Sequence, residues 1–306
     1  MPSLVYKLLI VFTTVIWGFS FVAMKDAVNQ VEPAWLIFIR FMVASALLAI
    51  MFWKRLRASF NRECLLASVI VGFLLGVAYL AQTIGLMTIT PGKNAFLTAT
   101  YCVMVPFIWW IVAKRKPSIF NVSAAVVCIV GVGLISLDGA EASGSFMGFG
   151  EFMTVICAVF FACHIVAVSK FSEKFDVMVL TVYQFFWGGL FCGIWALIFE
   201  EPPTLEVLTN PDFLWSFGYL VIFASIVGLG IQNFALAHIP PAQASILLSL
   251  ESVFGVIFGV IFYHDPLTLQ LVGGFALVFA GVLISEALPQ VKGFSHRDLD
   301  KTASSS

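Results

Sequence analysis

Long apolar runs, separated by short polar segments, recur along the whole 306-residue chain. A helix needs roughly 20 mostly apolar residues to cross about 30 Å of hydrocarbon at 1.5 Å per residue. Runs of this length predict ten transmembrane helices, over 4–24, 33–53, 65–89, 92–113, 118–137, 148–170, 176–199, 213–238, 241–263 and 267–288. The connections between them are short, which favours antiparallel neighbours. The predicted fold class is therefore an all-α membrane protein.

The composition also favours lipid over water as the surrounding solvent. Hydrophobic residues make up 61% of the chain and charged residues only 11%, whereas a soluble domain carries about 25% charged residues. A net charge of −1 excludes the dense basic face that a nucleic-acid partner would need. The six cysteines form no Cys-x-x-Cys pair, so we interpret them as small apolar residues and expect no metal site and no cofactor.

The distribution of Lys and Arg predicts how the chain is oriented. With a cytoplasmic N-terminus, thirteen of the sixteen basic residues fall in inner segments, two (Lys25 and Lys93) fall in outer segments, and Arg40 lies within a span. We therefore expect an integral plasma (cytoplasmic) membrane protein with both termini in the cytoplasm. The polar segment 289–306 is predicted to be a disordered cytoplasmic tail.

The chain contains an internal repeat. Nine residues recur at an offset of 150, among them Gln82 and Pro91, which return as Gln232 and Pro241. The sequence predicts two repeats, 4–137 and 148–288, of five helices each. Because five is odd, the second repeat must enter the membrane inverted relative to the first. Inverted repeats with a site between them near the midplane are typical of alternating-access transporters.

Several motifs make the chain similar to the ten-helix EamA-like permeases of the drug/metabolite transporter superfamily. The resemblance covers 4–288 as two copies of the family's repeat, and it rests on Trp17–Lys25, Arg40-Phe41, Lys93–Tyr101 with Val105-Pro106, Leu248–Phe254 and Asp265–Thr268. Ser252 stands where the family usually has proline, and His264-Asp265 replaces the usual Gly-Glu. The resemblance implies a carrier of metabolites or amino acids, commonly an exporter, without identifying its substrate.

Two charged residues lie deep within predicted spans, where an ion is unfavourable and a functional role is the first interpretation. Arg40 lies about 10 Å into the second span and Glu251 about 15 Å into the ninth, at the helical rise. Each is either a group that binds substrate or protons, or one member of a structural ion pair. Their similar depths predict that Arg40 and Glu251 face one central cavity between the repeats.

The other candidates for substrate binding or coupling are polar and aromatic residues within spans. Asn94, Thr98 and Tyr101 share one helix face because they are spaced i, i+4, i+7, although Thr98 could simply bond a preceding carbonyl. The remaining candidates are Gln82, Gln184, Gln232, Trp17, Tyr79, Tyr183 and Trp187. Interhelical hydrogen bonding is the alternative role for the glutamines, and packing or interface anchoring is the alternative for the aromatics.

These patterns favour a secondary active transporter over an enzyme or a channel. We expect export of a small metabolite, such as an amino acid, across the lipid bilayer. The chain has no nucleotide-binding motif, so an ion gradient, with protons as the expected coupling ion, would drive transport. The alternative is a membrane enzyme acting on lipid or a lipid-linked substrate, with Glu251 or His164 as acid/base, but no catalytic motif supports it. The oligomeric state is left open.

Overall fold

The computed structural model describes residues 3–59, 61–114, 116–137, 148–239 and 241–291, and these ranges contain helices and no strands. The helices of the first half are α1 (Ser3–Val28), α2 (Pro33–Met51), α3 (Trp53–Ala58), α4 (Arg62–Thr88), α5 (Pro91–Ala99), α6 (Tyr101–Ala113) and α7 (Ile119–Leu137). Those of the second half are α8 (Phe149–Phe171), α9 (Val177–Phe199), α10 (Leu205–Leu208), α11 (Pro211–Tyr219), α12 (Gly230–Leu236), α13 (Pro241–Tyr263) and α14 (Leu269–Val291). A π-helical segment, Leu220–Leu229, joins α11 to α12.

Seven helical stretches are long and apolar enough to cross a membrane, and three shorter apolar helices accompany them in the described residues. The shorter ones lie within α7, α13 and α14. Together they fit the ten-helix, two-repeat architecture. Two of the ten are interrupted: α5 and α6 form one span broken at Thr100, and α11, the π segment and α12 form another.

The ends of the helices follow local sequence signals. Proline occupies the first turn of α2 and α5, where its missing N–H removes no intrahelical bond. Asn61 and Asp176 cap α4 and α9 with their side-chain oxygens. The sequence did not predict the short helices α3 and α10, and it ended the last span early. Since α14 continues to Val291, the first residues of the predicted tail are helical, and 292–306 lie outside the described residues.

The packing of the helices is unchanged when the two halves are exchanged. In three contacts a helix of the first repeat packs on the helix at the equivalent position of the second repeat: α2 packs on α9, α5 on α13, and α7 on α14. The other contacts come in matching pairs. The packing of α1 on α13 corresponds to that of α8 on α6, and the packing of α4 on α8 corresponds to that of the π segment on α1. This pattern is the one expected for two copies of one five-helix unit.

Glycines allow the closest of these contacts. A Cβ atom built on Gly255 of α13 would lie 2.4 Å from the Cβ of Ala95 in α5, and one built on Gly72 of α4 would lie 2.7 Å from the Cβ of Trp187 in α9. No side chain fits at such a distance, so small residues at these points set the spacing of the helices. The contact at Gly255 holds α13 against α5 one turn away from Glu251.

Candidate functional site

A cavity with an empty volume of about 390 Å³ lies at the centre of the bundle. Both halves of the chain contribute to it, through α1, α4, α5, α6, α8, α12 and α13. Its wall consists of Trp17, Ser20, Phe21, Tyr79, Gln82, Thr98, Tyr101, Phe161, Ile165, Gln232 and Glu251. Seven of these residues were candidates from the sequence: Trp17, Tyr79, Gln82, Thr98, Tyr101, Gln232 and Glu251.

The cavity is narrow in this structure. The volume that the centre of a water molecule can occupy is only about 20 Å³, and one water needs roughly 10–15 Å³ on this measure. There is room for one or two waters but not for a metabolite. Helices must therefore move before a solute of any size can occupy the site.

Glu251 is the carboxylate of the cavity wall, and its side chain is almost fully buried. The hydroxyl group of Tyr101 lies beside it, but that oxygen has no well-formed hydrogen bond within the described residues. Lys and Arg side chains of the described residues form no ion pair with Glu251. Since Tyr101 and Glu251 occupy equivalent positions in the two repeats, the pseudo-symmetry places a phenol opposite a carboxyl group.

Arg40 is fully buried but does not line the cavity. Its Nε donates to the Oγ of Ser225 at 2.7 Å, and its Cζ lies 4.8 Å from the centre of the Tyr79 ring. Nη2 has no hydrogen-bond partner in the described part of the chain. Tyr79 itself belongs to the wall, whereas Arg40 does not. Of the two buried charges, only Glu251 therefore lines this cavity.

The π-helical segment explains how Arg40 and Trp17 are held. Ser225, which accepts from Arg40, also donates to the carbonyl oxygen of Leu220 five residues earlier, the spacing of π-helical bonds. The carbonyl of Ala224 in the same segment accepts a hydrogen bond from Trp17 Nε1 at 2.9 Å. Both contacts join the first half of the chain to the second.

The three polar candidates that share one helix face, Asn94, Thr98 and Tyr101, have two different roles. Thr98 lies in the wall and accepts a hydrogen bond of 3.2 Å from Gln82 Nε2. Asn94 lies outside the wall and instead donates to the carbonyl of Gln82 and to Thr154 Oγ1 at 2.9 Å. Asn94 thus ties α5 to α4 and α8, while Thr98 and Tyr101, on either side of the break at Thr100, reach the cavity.

Three other candidates from the sequence lie away from the cavity. Gln184 bonds to His164 through its Oε1 at 3.0 Å from Nε2, which joins α9 to α8. Trp187 packs on Phe186 and faces α4 at Gly72. Tyr183, on the same helix, is only partly buried and does not belong to the wall.

Four wall residues were missed by the sequence interpretation: Ser20, Phe21, Phe161 and Ile165. Phe161 packs edge-on against Tyr79 and Tyr101, with ring centres 5.1 and 6.2 Å apart. The i, i+4 spacing of Phe161 and Ile165 was the available signal. This spacing did not distinguish Phe161 and Ile165 from their neighbours, because α8 is apolar on nearly every face.

Charged side chains join the helices at one end of the bundle. We call it the distal end, where α1 finishes at Val28 and α2 begins. There Lys93 Nζ lies 3.2 Å from Glu151 Oε1, and both side chains are largely buried. Asp265 accepts from the backbone N–H of Gly92 at 2.9 Å, which caps α5 from another helix connection. Lys25 donates to carbonyl groups at the end of α4, including those of Met87 and Ile89.

Two further contacts complete the distal end. Tyr263 donates its hydroxyl hydrogen to Asp26, which connects the ends of α13 and α1. Glu200 accepts from the N–H groups of Ala34 and Trp35 at 3.0 Å and so caps α2. Partial burial raises the pKa of the Glu200 carboxyl, and those two backbone N–H groups oppose the rise.

Comparisons with known proteins agree with the fold and with the repeat. A family model described as "EamA-like transporter family" matches residues 5–137 and again 148–286. One uncharacterised transporter of Archaeoglobus fulgidus is 29% identical over 292 residues, which cover 92% of this chain and 96% of that protein. Another from the same organism is 27% identical over 277 residues, 88% of this chain and 82% of its own.

The chain is also similar to a human protein and to a solved structure. Human "Solute carrier family 35 member G1" is 29% identical over 222 residues, which cover 67% of this chain and 56% of that protein. A solved crystal structure matches 93% of this chain and 98% of its own with a TM-score of 0.67. Its sequence identity is 14%, so this likeness concerns the fold alone.

Proposed function

Because the chain belongs to the EamA-like transporter family and is a membrane transporter, we propose that it is a secondary active transporter that exports a small metabolite. An amino acid or a similar solute would bind in the central cavity and cross the membrane by alternating access. The N- and C-termini would lie in the cytoplasm of a plasma-membrane protein, so that the distal end faces outward.

One observation carries this proposal: a cavity with several polar groups in its wall lies between two repeats whose helices pack in corresponding ways. Polar groups in a membrane interior are unfavourable unless they serve a partner or a solute. The cavity receives side chains from both repeats, so relative movement of the repeats changes its exposure. The cavity of this structure has space for one or two waters, and an alternating cycle would widen it toward one side of the membrane at a time.

Glu251 is the proposed coupling group. In the described residues, it interacts electrostatically with the titratable side chains of Tyr79 in α4, Tyr101 in α6 and Cys157 in α8, none of which supplies a positive charge. The neighbouring helix α5 carries Lys93, but at the distal end, paired with Glu151. A carboxylate without a cation in a low-dielectric site must gain a proton or a positively charged ligand. Proton binding at Glu251 would therefore alternate with substrate binding.

Substitution of Glu251 by Gln tests the proposal. Cells that produce the protein, the Glu251→Gln variant or a Glu63→Gln control are compared by mass spectrometry of their medium. Glu63 is an exposed residue in the first turn of α4, so the control removes a carboxylate without touching the cavity. We expect the wild type and the control to enrich at least one metabolite in the medium. Glu251→Gln, or a protonophore added to the wild type, should reduce the enrichment to the level of cells without the protein.

Two results would contradict parts of this proposal. Full export by Glu251→Gln would exclude the coupling role of the carboxylate, and identical media from producing and non-producing cells would exclude export. The alternative of a lipid-directed enzyme has no comparable observation in its favour. His164 bonds to Gln184 and lies outside the cavity wall, so the two acid/base candidates do not share a site.

A further inference from the structure

The cavity wall is uneven in charge. Glu251 brings a carboxylate to it, whereas no Lys, Arg or His side chain of the described residues lines it. The other polar groups in the wall are neutral amides, hydroxyls and an indole N–H, from Gln82, Gln232, Ser20, Thr98, Tyr79, Tyr101 and Trp17. A negatively charged ligand would therefore meet a carboxylate and find no opposing cation.

The nearest buried cation does not correct this imbalance. Arg40 is directed to Ser225 and to the sulfur atom of Met24. Its guanidinium group lies over the Tyr79 ring, 4.8 Å from the ring centre, and does not belong to the cavity wall. A ligand carboxylate in the cavity of this structure would therefore meet no cation in the described residues of the wall.

Aromatic rings form much of the remaining wall. Trp17, Phe21, Tyr79, Tyr101 and Phe161 all line the same space as Glu251. The faces of such rings attract cations whose charge lies within about 6 Å of the ring centre. A carboxylate surrounded by aromatic rings is thus suited to an ammonium group attached to an apolar or aromatic body.

We propose that this cavity selects a small organic cation, a protonated amine without a carboxylate of its own, whose ammonium group pairs with Glu251. The inference rests on the proposed function, because it concerns the same cavity, and it narrows the solute from small metabolites in general to amines, which excludes amino acids. Since the cavity of this structure has room for only one or two waters, the amine would enter after the helices have moved, and the charge of the wall rather than its present volume defines the ligand class.

Binding of four matched probes tests the charge selectivity. Phenethylammonium, phenylalanine, 3-phenylpropionate and 2-phenylethanol have similar bodies but are a cation, a zwitterion, an anion and a neutral molecule. Isothermal titration of the purified full-length protein in lipid nanodiscs would measure each affinity. We expect phenethylammonium to bind at least tenfold more tightly than the other three, because a charge-assisted hydrogen bond accounts for such a factor.

Substitutions of Glu251 test whether its carboxylate binds the ammonium group of the ligand. Glu251→Gln should weaken phenethylammonium binding at least tenfold and leave 2-phenylethanol unchanged, whereas Glu251→Asp should retain the preference for the cation. Glu63→Gln should behave as wild type. Equal or tighter binding of phenylalanine or 3-phenylpropionate, no binding of phenethylammonium, or unchanged binding in Glu251→Gln would each overturn the proposal.

The experiments distinguish a failure of the selectivity for amines from a failure of the proposed transport function. If phenethylammonium binds through Glu251 but is not carried into vesicles that contain the protein, the transport proposal fails and the selectivity stands. If cells export an anionic or zwitterionic metabolite that depends on Glu251, transport stands and the selectivity for amines fails.

Discussion

The two ends of the helix bundle are held together by different kinds of contact. At the distal end, Lys93 and Glu151 form a largely buried ion pair between α5 and α8, and Asp265 caps α5. At the opposite, proximal end, the ion pair of Arg55 with Asp176 is longer, 3.7 Å, and its side chains are 59% and 31% exposed. In the described part of the chain, the ion pair that joins helices at the distal end is therefore buried, and the one at the proximal end is exposed to solvent.

This difference indicates which end opens at lower free energy. Exposed ion pairs contribute about 0–1 kcal/mol, whereas breaking a buried pair leaves charges without partners. In a transporter built from two equivalent repeats, matched ends would give inward-open and outward-open states of similar stability. Unequal ends shift the population toward the state that keeps the stronger contacts. We expect the resting protein to be closed distally and to open first at the proximal end.

Replacement of Lys93 by Met should have the largest effect. It leaves the Glu151 carboxylate buried without its cation, which destabilises the distally closed state by about 3–5 kcal/mol. A Ser20→Cys reporter in the cavity wall, in a chain whose native cysteines are replaced, would report opening. We expect an externally added, membrane-impermeant maleimide to label this cysteine much faster in Lys93→Met than in wild type.

The double variant Lys93→Met with Glu151→Leu is the matched control. It removes both charges, and apolar replacement of a buried pair is often neutral or stabilising. Labelling and thermal stability should therefore return close to wild-type values. If the single variant is as stable and as slowly labelled as the double, the ion pair does not hold the distal end. Labelling only from the cytoplasmic face would contradict the proposed orientation.

Replacement of Asp265 by Ala should have an intermediate effect. The variant loses the acceptor for the Gly92 N–H at the start of α5, and loss of such a cap costs about 0.5–2 kcal/mol. Asp265→Asn keeps an acceptor oxygen and should lose less. Thermal unfolding of the three proteins in the same detergent would rank them. Equal midpoints for Asp265→Ala and wild type would show that the cap has no stabilising role.

Replacement of Arg55 by Ala should have the smallest effect. Its ion pair with Asp176 is exposed, so the free energy of unfolding should change by less than about 1 kcal/mol. The rate at which the Ser20→Cys reporter is labelled from outside should stay at the wild-type value. An effect as large as that of Lys93→Met would remove the distinction between the two ends.

Most of the fold follows from the sequence, because lipid requires long apolar runs and prolines mark where helices begin. Pro33 and Pro91 start α2 and α5 in the structure as expected. The interruptions at Thr100 and at Leu220–Leu229 could not be predicted from such runs. The π segment, for example, is stabilised by side chains distant in sequence, since Trp17 bonds to its backbone and Arg40 to its Ser225.

The candidate site was only partly predictable for a related reason. Sequence position gives the depth of a residue in the membrane, and it placed Arg40 and Glu251 at similar levels. It does not give the direction in which the side chain points, which depends on helix rotation and on neighbours. Arg40, for example, contacts Ser225 and the Tyr79 ring and does not belong to the cavity wall. Phe161 could not be distinguished from the other apolar residues of α8 until its contacts with Tyr79 and Tyr101 were seen.

The close contact between Gly255 and Ala95 gives α13 a fulcrum. Glu251 lies four residues from that point, about 6 Å along the axis, and Tyr263 lies eight residues away, about 12 Å. A rigid tilt of about 10° around the fulcrum moves Glu251 by only about 1 Å and Tyr263 by about 2 Å, at this helical rise. A tilt of α13 would therefore leave the carboxyl group of Glu251 almost in place, while access to that group changes from one side of the membrane to the other.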